Sequence, residues 1–277
     1  MRKHNFHFPT ATLLAWYDKH GRDLPWRRRW PELAPAYHVW LSEIMLQQTV
    51  VTTAIPYFLD FTRRWPTINA LAAAPIDDVL AAWAGLGYYA RARNLHKAAL
   101  VVAKEWGGQF YCPDNNTCEN DGYFEGYLRA LPGVGPYTAG AIAAIAFGQQ
   151  TVVVDGNIER LFSRYYGNET PLPAAKMEIG LTYKSLLPVD RPSDFPQALM
   201  DFANAVCTPK RPGCAGCFLA DSCIALAKNI VDKLPVKPPK VKKPTRHAIV
   251  FVAINRHGEV FLHRRAEKGL LGGMLGF

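Results

Sequence analysis

The 277-residue sequence predicts an all-α fold with a short β fragment at its C-terminal end. Three observations carry this. Apolar residues recur at helical spacing from Thr10 to about Lys228, and the β-like run before the linker is only Thr151 to Val154. A hydrophobic share of 49% against 20% charged residues supplies one large or two modest globular domains, which excludes wholesale disorder and a collagen-like fibre.

In chain order, Pro9-Thr10 can start a first helix carrying Leu13, Leu14, Trp16 and Tyr17, and Gly21 stops it. Val39 to Leu59 reads as one apolar-periodic segment interrupted only by Pro56, and Ile76 to Trp83 as another, broken by Gly85 and Gly87. Arg91 to Trp106 is amphipathic and closed by Gly107 and Gly108. Arg27 to Pro35 and Tyr111 to Gly126 fit the pattern poorly and read as surface insertions. The latter holds Cys112 and Cys118, read as unpaired thiols in preference to a disulfide or a metal site. Leu234 to Arg246, with four prolines and five basic residues, reads as a linker. Beyond it, two alternating β-branched strands should join at a turn through Arg256, His257 and Gly258.

Lys and Arg exceed Asp and Glu by 32 to 23, a net charge of +9 that suits a polyanionic partner without requiring one. The N-terminus lacks the continuous apolar core of a secretory signal, and the longest apolar run, Ala139 to Phe147, is too short to span a bilayer. The chain therefore reads as a soluble, intracellular protein with no membrane partner.

Two motifs carry chemistry. Cys207-x6-Cys214-x2-Cys217-x5-Cys223 places four thiols within seventeen residues, with Pro209, Pro212, Gly213 and Gly216 bending the loop between them. That spacing favours a [4Fe-4S] cluster, with zinc as the alternative, because structural zinc sites usually pair two short Cys-x2-Cys knuckles. Lys210 and Arg211 inside the loop could face phosphate. The second motif runs from Leu131 to Ala139, LPGVGPYTA. Gly133 and Gly135 should permit the positive φ of a tight hairpin and the approach of a phosphate, with the amides of the next helix pointing at the anion. This is a helix-hairpin-helix pattern, which holds DNA backbone without reading sequence.

Two carboxylates stand in unlike settings. Glu43 lies among Leu41, Ile44, Met45 and Leu46 on a buried helix, which favours the neutral acid. Asp155 ends an apolar run just before a helix, which favours the anion, although a plain N-cap would look the same. Such a pair suits cleavage of a glycosidic bond: an acid protonates the leaving base and an anion stabilises the cationic sugar. Arg91, Arg93 and Lys97 fall on one helical face, a solvated stripe or a phosphate contact.

The hairpin, Asp155 about twenty residues later, and the cysteine set together resemble the endonuclease III superfamily of base-excision DNA glycosylases. Leu41 to Thr49 (LSEIMLQQT), Trp83 to Asn94 (WAGLGYYARARN) and Val154 to Asn157 (VDGN) are similar to its adenine DNA glycosylase (MutY) branch. The resemblance spans about residues 10 to 230. It implies two helical lobes with a DNA cleft between them: a six-helix barrel over 27–147 with its hairpin at 131–139, and a cluster lobe from 1–26 and 148–230. A linker over 231–245 and a truncated Nudix-like domain over 246–277 would follow, with reduced preference for 8-oxoguanine over guanine.

By the same resemblance, Glu43 matches the acid that protonates adenine and Asp155 the carboxylate that stabilises the sugar, with Tyr137 and Asn157 as polar support. Tyr137 stands where bifunctional members carry a lysine, so a monofunctional enzyme without strong lyase activity is implied. Gln48 and Tyr88 match residues that wedge into the base stack, with Leu86 on the same loop; Trp26, Arg27 and Gln197 match the adenine pocket. The implied substrate is double-stranded DNA holding adenine opposite 8-oxoguanine or guanine, acted on by a monomer in the cytoplasm or nucleoid if the source is bacterial. The competing readings are a catalytically silent iron-sulfur DNA-binding module and an iron-sulfur electron carrier. The module has no need of both Glu43 and Asp155, and the carrier no need of the hairpin, the Gln47-Gln48 pair or the wide basic surface.

Overall fold

Short apolar stretches bounded by proline, glycine and threonine set the helices in this computed structural model. It describes residues 8–110, 123–239, 244–245, 247, 249–266 and 272–277. Cys112, Cys118 and Leu271 lie outside the described residues, as does part of the expected linker. Helix α1 (Thr10–His20) ends at Gly21, where a Cβ would stand 2.5 Å from the Tyr17 ring. The expected single segment from Val39 to Leu59 is two helices, α2 (Ala36–Leu46) and α3 (Val51–Arg64), parted at Gln48 with φ of 60°. Pro56 does not interrupt α3: it lies on the exposed side, where the carbonyl it leaves unbonded can meet water.

Helix α4 (Ile68–Ala73), absent from the sequence expectations, is capped by Thr67, whose side chain accepts from the Ala70 amide at 3.1 Å. Helices α5 (Ile76–Ala82), α6 (Ala90–Glu105) and α7 (Tyr123–Leu128) follow, then α8 (Pro136–Phe147), buried from Thr138 to Ala146 and ended by Gly148 at φ 65°. Helix α9 (Gly156–Tyr165) is capped by Asp155; α10 (Lys176–Ser185), α11 (Asp194–Ala205) and α12 (Ile224–Ala227) complete the body.

Helices α2 to α8 pack chiefly on one another, with α2 against α8 and α4 against α6. Helix α11 packs on α1 and α9, α9 also meets α10 and α12, and α11 touches α8 to join the two groups. Helix α2 is apolar around most of its circumference because it lies between α3, α6 and α8, so Glu43 is carried into the interior.

The C-terminal segment departs from the expected pair of regular strands. A bridge joins Ile254 to Val260 around a turn set by Asn255, whose Oδ1 accepts from the amides of His257 and Glu259 at 2.9 and 3.0 Å. The regular ladder pairs β1 (His263–Arg264) instead with β2 (Leu275–Gly276). Ile249 and Phe251 are exposed, so among the described residues no second apolar layer buries the face of the alternating pattern. Among the described residues, no helix is long and apolar enough to cross a membrane.

One close approach matters for the site. Gly140 of α8 meets the extended segment that leads into Asp155: a Cβ there would be 2.8 Å from the Val152 carbonyl oxygen, and the Thr151 hydroxyl donates to the Gly140 carbonyl at 2.8 Å. Gly140→Ala should therefore destabilise the fold by about 1–3 kcal/mol through overpacking. Urea denaturation measures this, and an unchanged midpoint would contradict the contact.

Candidate active site

A cleft of about 680 Å³ opens among α2, α8, α9, α11 and the loop after α1, within the range of small-molecule pockets. It brings together Glu43, Tyr137, Asp155, Asn157, Trp26, Arg27 and Gln197, seven of the residues singled out in the sequence. Gln48, Leu86, Tyr88, Gly133, Gly135 and Arg91 do not line it.

Glu43 has its pKa pushed up to about 7, first by burial and then by the negative charge of Asp155; a hydrogen bond from Tyr137 and the charge of Arg27 oppose the rise. Burial raises Asp155 as well, but three donors hold its anion. The Asn157 and Ile158 amides donate to Oδ1 at 2.9 and 2.8 Å, and the Asn157 side-chain amide donates to Oδ2 at 2.6 Å. Asp155 is thus an N-cap and at the same time a carboxylate that lines the cleft, so the two readings of the residue are compatible. Burial beside both carboxyls also raises the Tyr137 phenol well above its usual range, so it stays protonated and acts as a donor.

Arg27 is not part of a surface insertion. Its guanidinium pairs with Asp201 through Nη1–Oδ2 at 2.7 Å and Nη2–Oδ1 at 3.1 Å, and Arg22 adds a bond from Nε to Oδ1 at 2.7 Å. Burial alone would raise Asp201, yet these cations hold its carboxyl below the usual range. Asp201 was missed in the sequence, although it follows Gln197 by one helical turn. Trp26 is buried, its ring edge-on to Phe58 at 5.1 Å. Gln197 donates from Nε2 to the Ser193 carbonyl at 2.8 Å, while its Oε1 is buried with no partner among the described residues.

The rim corrects three expectations. Gly133 has φ of 81° as the hairpin requires, but Gly135 is extended, with φ −93° and ψ 179°, and caps α8. Nothing lies within 4 Å of a Cβ at Gly135, so its role is open space before the helix amides rather than backbone freedom. Leu86 is 6% exposed and packs in the core. Arg91 is no solvent-facing phosphate contact: its guanidinium donates to the Met45 and Leu86 carbonyls, both at 2.9 Å, and to the Thr49 hydroxyl at 3.1 Å. It clamps together the two turns that bear Gln48 and Tyr88. Both of those side chains are exposed, from backbones with φ of 60° and 48°.

The four cysteines are free thiols around a second cavity, also lined by Leu161 and Arg164. Burial and the neighbouring thiols push Cys217 up to about 11, opposed by the Leu219 amide. Among the described residues, no group of three or more His, Cys, Asp or Glu is gathered in the manner of a metal-ion site. Helix α9 links the two centres. Arg160 donates to the Asn157 side-chain oxygen at 3.1 Å and to the Cys207 carbonyl at 2.8 Å, and Arg164 donates to the Thr208 carbonyl at 2.7 Å and reaches the Cys207 Sγ at 3.5 Å.

Asp201→Ala leaves the Arg27 guanidinium buried without its counter-ion, so it should destabilise the protein by roughly 3–5 kcal/mol. Chemical denaturation of both proteins checks this, and a loss below about 1 kcal/mol would contradict the pairing.

The model of the HhH-GPD superfamily base excision DNA repair protein family matches residues 41–183. An adenine DNA glycosylase of Homo sapiens is 44% identical over 221 residues, 78% of this chain and 39% of that protein. One of Buchnera aphidicola subsp. Schizaphis graminum (strain Sg) is 36% identical over 259 residues, 92% of this chain and 70% of that protein. A solved thermostable thymine-DNA glycosylase superposes with a TM-score of 0.67 at 27% identity, over 79% of this chain and 95% of that one. The chain spans less than half the length of its human, rat and mouse relatives. With the hairpin, the paired carboxyls and the cysteine loop assembled on one helical body, the chain belongs to the HhH-GPD superfamily of base excision DNA repair proteins.

Proposed function

We propose that this chain is a monofunctional adenine DNA glycosylase, acting as a monomer on adenine opposite 8-oxoguanine or guanine in duplex DNA. The observation that carries the reading is the cleft in which Glu43, with a pKa of about 7, faces an Asp155 held by three N–H donors. Glu43 donates its proton to the extruded adenine, which makes the base a better leaving group. Asp155 stabilises the oxocarbenium-like sugar, and Asn157 fixes the orientation of that carboxylate. Trp26, Arg27 and Gln197 shape the base pocket; the partnerless Gln197 Oε1 is an acceptor suited to an amino group on the base edge.

Extruding the base leaves a gap in the stack, and Gln48 and Tyr88 stand exposed on the rim to fill it. The hairpin at Gly133 and Gly135 and the loop cations Lys210 and Arg211 hold phosphate. Cys207, Cys214, Cys217 and Cys223 hold a [4Fe-4S] cluster: four thiols of one short loop ring a common cavity, a donor set suited to a compact iron–sulfide cube. The cluster supplies loop rigidity. In domain terms, 27–147 forms the barrel lobe, 1–26 and 148–230 the cluster lobe, and 231–245 the linker.

Among the described residues no lysine lines the cleft, and Tyr137, whose phenol cannot form a Schiff base with the sugar, does. Duplexes holding A opposite 8-oxoguanine, A opposite G, or undamaged pairs test the reading. Adenine release is expected from the first two, without strand cleavage, and Glu43→Gln should lose at least about 100-fold. Because the acid form is the active one, the rate should be full below pH about 7 and fall as pH rises through it. Unchanged release by Glu43→Gln, or efficient strand cleavage, would defeat the proposal. Purified protein should carry iron and acid-labile sulfide at about four of each per chain; zinc in their place would overturn the cluster assignment.

A further inference from the structure

Met200 is a cleft-lining residue of α11 that the mechanism above leaves without a role. Its thioether sulfur lies 3.6 Å from the Tyr137 hydroxyl, which donates to it. The same hydroxyl also bears on Glu43, whose pKa it lowers as a side-chain hydrogen-bond partner, while the bond it donates in the structure goes to the sulfur. A phenol has one proton and here has two acceptors of very different strength: a carboxylate, and a soft, neutral sulfur.

Which acceptor wins depends on Glu43. When Glu43 is ionised, the phenol proton goes to the carboxylate, because a charge-assisted bond is the stronger. When Glu43 is protonated, that acceptor is much weaker and the phenol proton needs another partner. Water in the open cleft can serve until a nucleoside fills it, but a filled cleft excludes that water. The sulfur stays in place.

We propose that Met200 is a positioning residue for the general acid: its thioether accepts the hydrogen bond of the Tyr137 hydroxyl whenever Glu43 is protonated, and so sustains the reactive protonation state. The inference rests on the glycosylase reading of the same cleft. Removing the sulfur leaves the carboxylate as the remaining good acceptor for the phenol proton. That favours the Glu43 anion and lowers the pH at which the acid form is lost. The other charges facing Glu43 are Asp155 at the head of α9 and Arg27 from the loop after α1. Arg91 of α6 is directed at the α2 carbonyls of Ile44 and Met45, and the α3 charges Asp60, Arg63 and Arg64 pair with one another. None of these contacts involves the Met200 side chain, so its substitution leaves them in place.

Generic packing is the competing role for a methionine, and it makes a different prediction. A packing defect slows the reaction alike at every pH, whereas loss of the acceptor moves the pH profile. Single-turnover adenine release from an A opposite 8-oxoguanine duplex should be measured across pH for the full chain and for Met200→Leu, Met200→Gln, Tyr137→Phe and the Tyr137→Phe/Met200→Leu double variant. Met200→Leu should shift the alkaline limb to lower pH by roughly half a unit, with the low-pH rate within about twofold of the parent. Met200→Gln, which restores an acceptor oxygen, should return the limb toward its original position. In the Tyr137→Phe background Met200→Leu should cause no further shift.

A uniform rate loss without a shift, an unchanged profile, or a shift that persists without the phenol would each overturn the role of Met200 while leaving the glycosylase reading intact. Absence of adenine release by the parent chain would overturn that reading instead, and this inference with it.

Discussion

Burial of the Glu43 carboxyl on α2 is the constraint on which the rest of the site depends. A helix apolar on nearly all sides carries it into the body, where the anion is costly, and the nearby Asp155 charge makes it costlier still. Two identical acids in one cleft would share their protons. Here the backbone separates their roles: Asp155 stands at a helix N-terminus with amides and a side-chain donor fixed on it, while Glu43 has a single phenol. Arg27 pulls Glu43 toward the anion, but its guanidinium is paired with Asp201 and its pull is weaker than the opposing effects of burial and Asp155.

The same helix that fixes Asp155 also reaches the cysteine loop. From Asp155 through Asn157 and Arg160 to the Cys207 carbonyl, each step is a hydrogen bond between groups on or beside α9. Arg164, one turn on, gathers carbonyls from Thr208, Val231 and Leu234. The order of the loop and the orientation of the Asp155 carboxylate are therefore mechanically continuous. On the opposite rim Arg91 plays a comparable part, using one buried guanidinium to hold two turns whose tips stay exposed.

What was legible in the sequence was local. The N-cap at Asp155, the left-handed Gly133, the stop at Gly21 and the clustering of four thiols all follow from a few adjacent residues. Partnerships across the chain were not. Arg27 and Asp201 are 174 residues apart, and nothing near Arg27 distinguishes a buried cation from one more member of a basic loop. Arg91 was misjudged for the same reason, since its partners are backbone carbonyls that carry no sequence signature. The α11 face had a readable signal: Gln197, Met200 and Asn204 recur at i, i+3 and i+7 and line the cleft, with Asp201 at i+4 turned to Arg22 and Arg27. Helix α4 was missed because six residues hold too little periodicity to register, and the Val39 to Leu59 break was misplaced because Pro56 is a stronger textual signal than a left-handed Gln48.

The central claim is that one carboxyl of the pair keeps its proton near neutrality. Its most direct measurement is a carbon-13 NMR titration of the Glu43 side-chain carboxyl in the parent chain and in Asp155→Asn. Glu43 should titrate near pH 7 in the parent and at lower pH once the Asp155 charge is gone. Titration with the ordinary exposed glutamates, near about 4.3, would contradict the account.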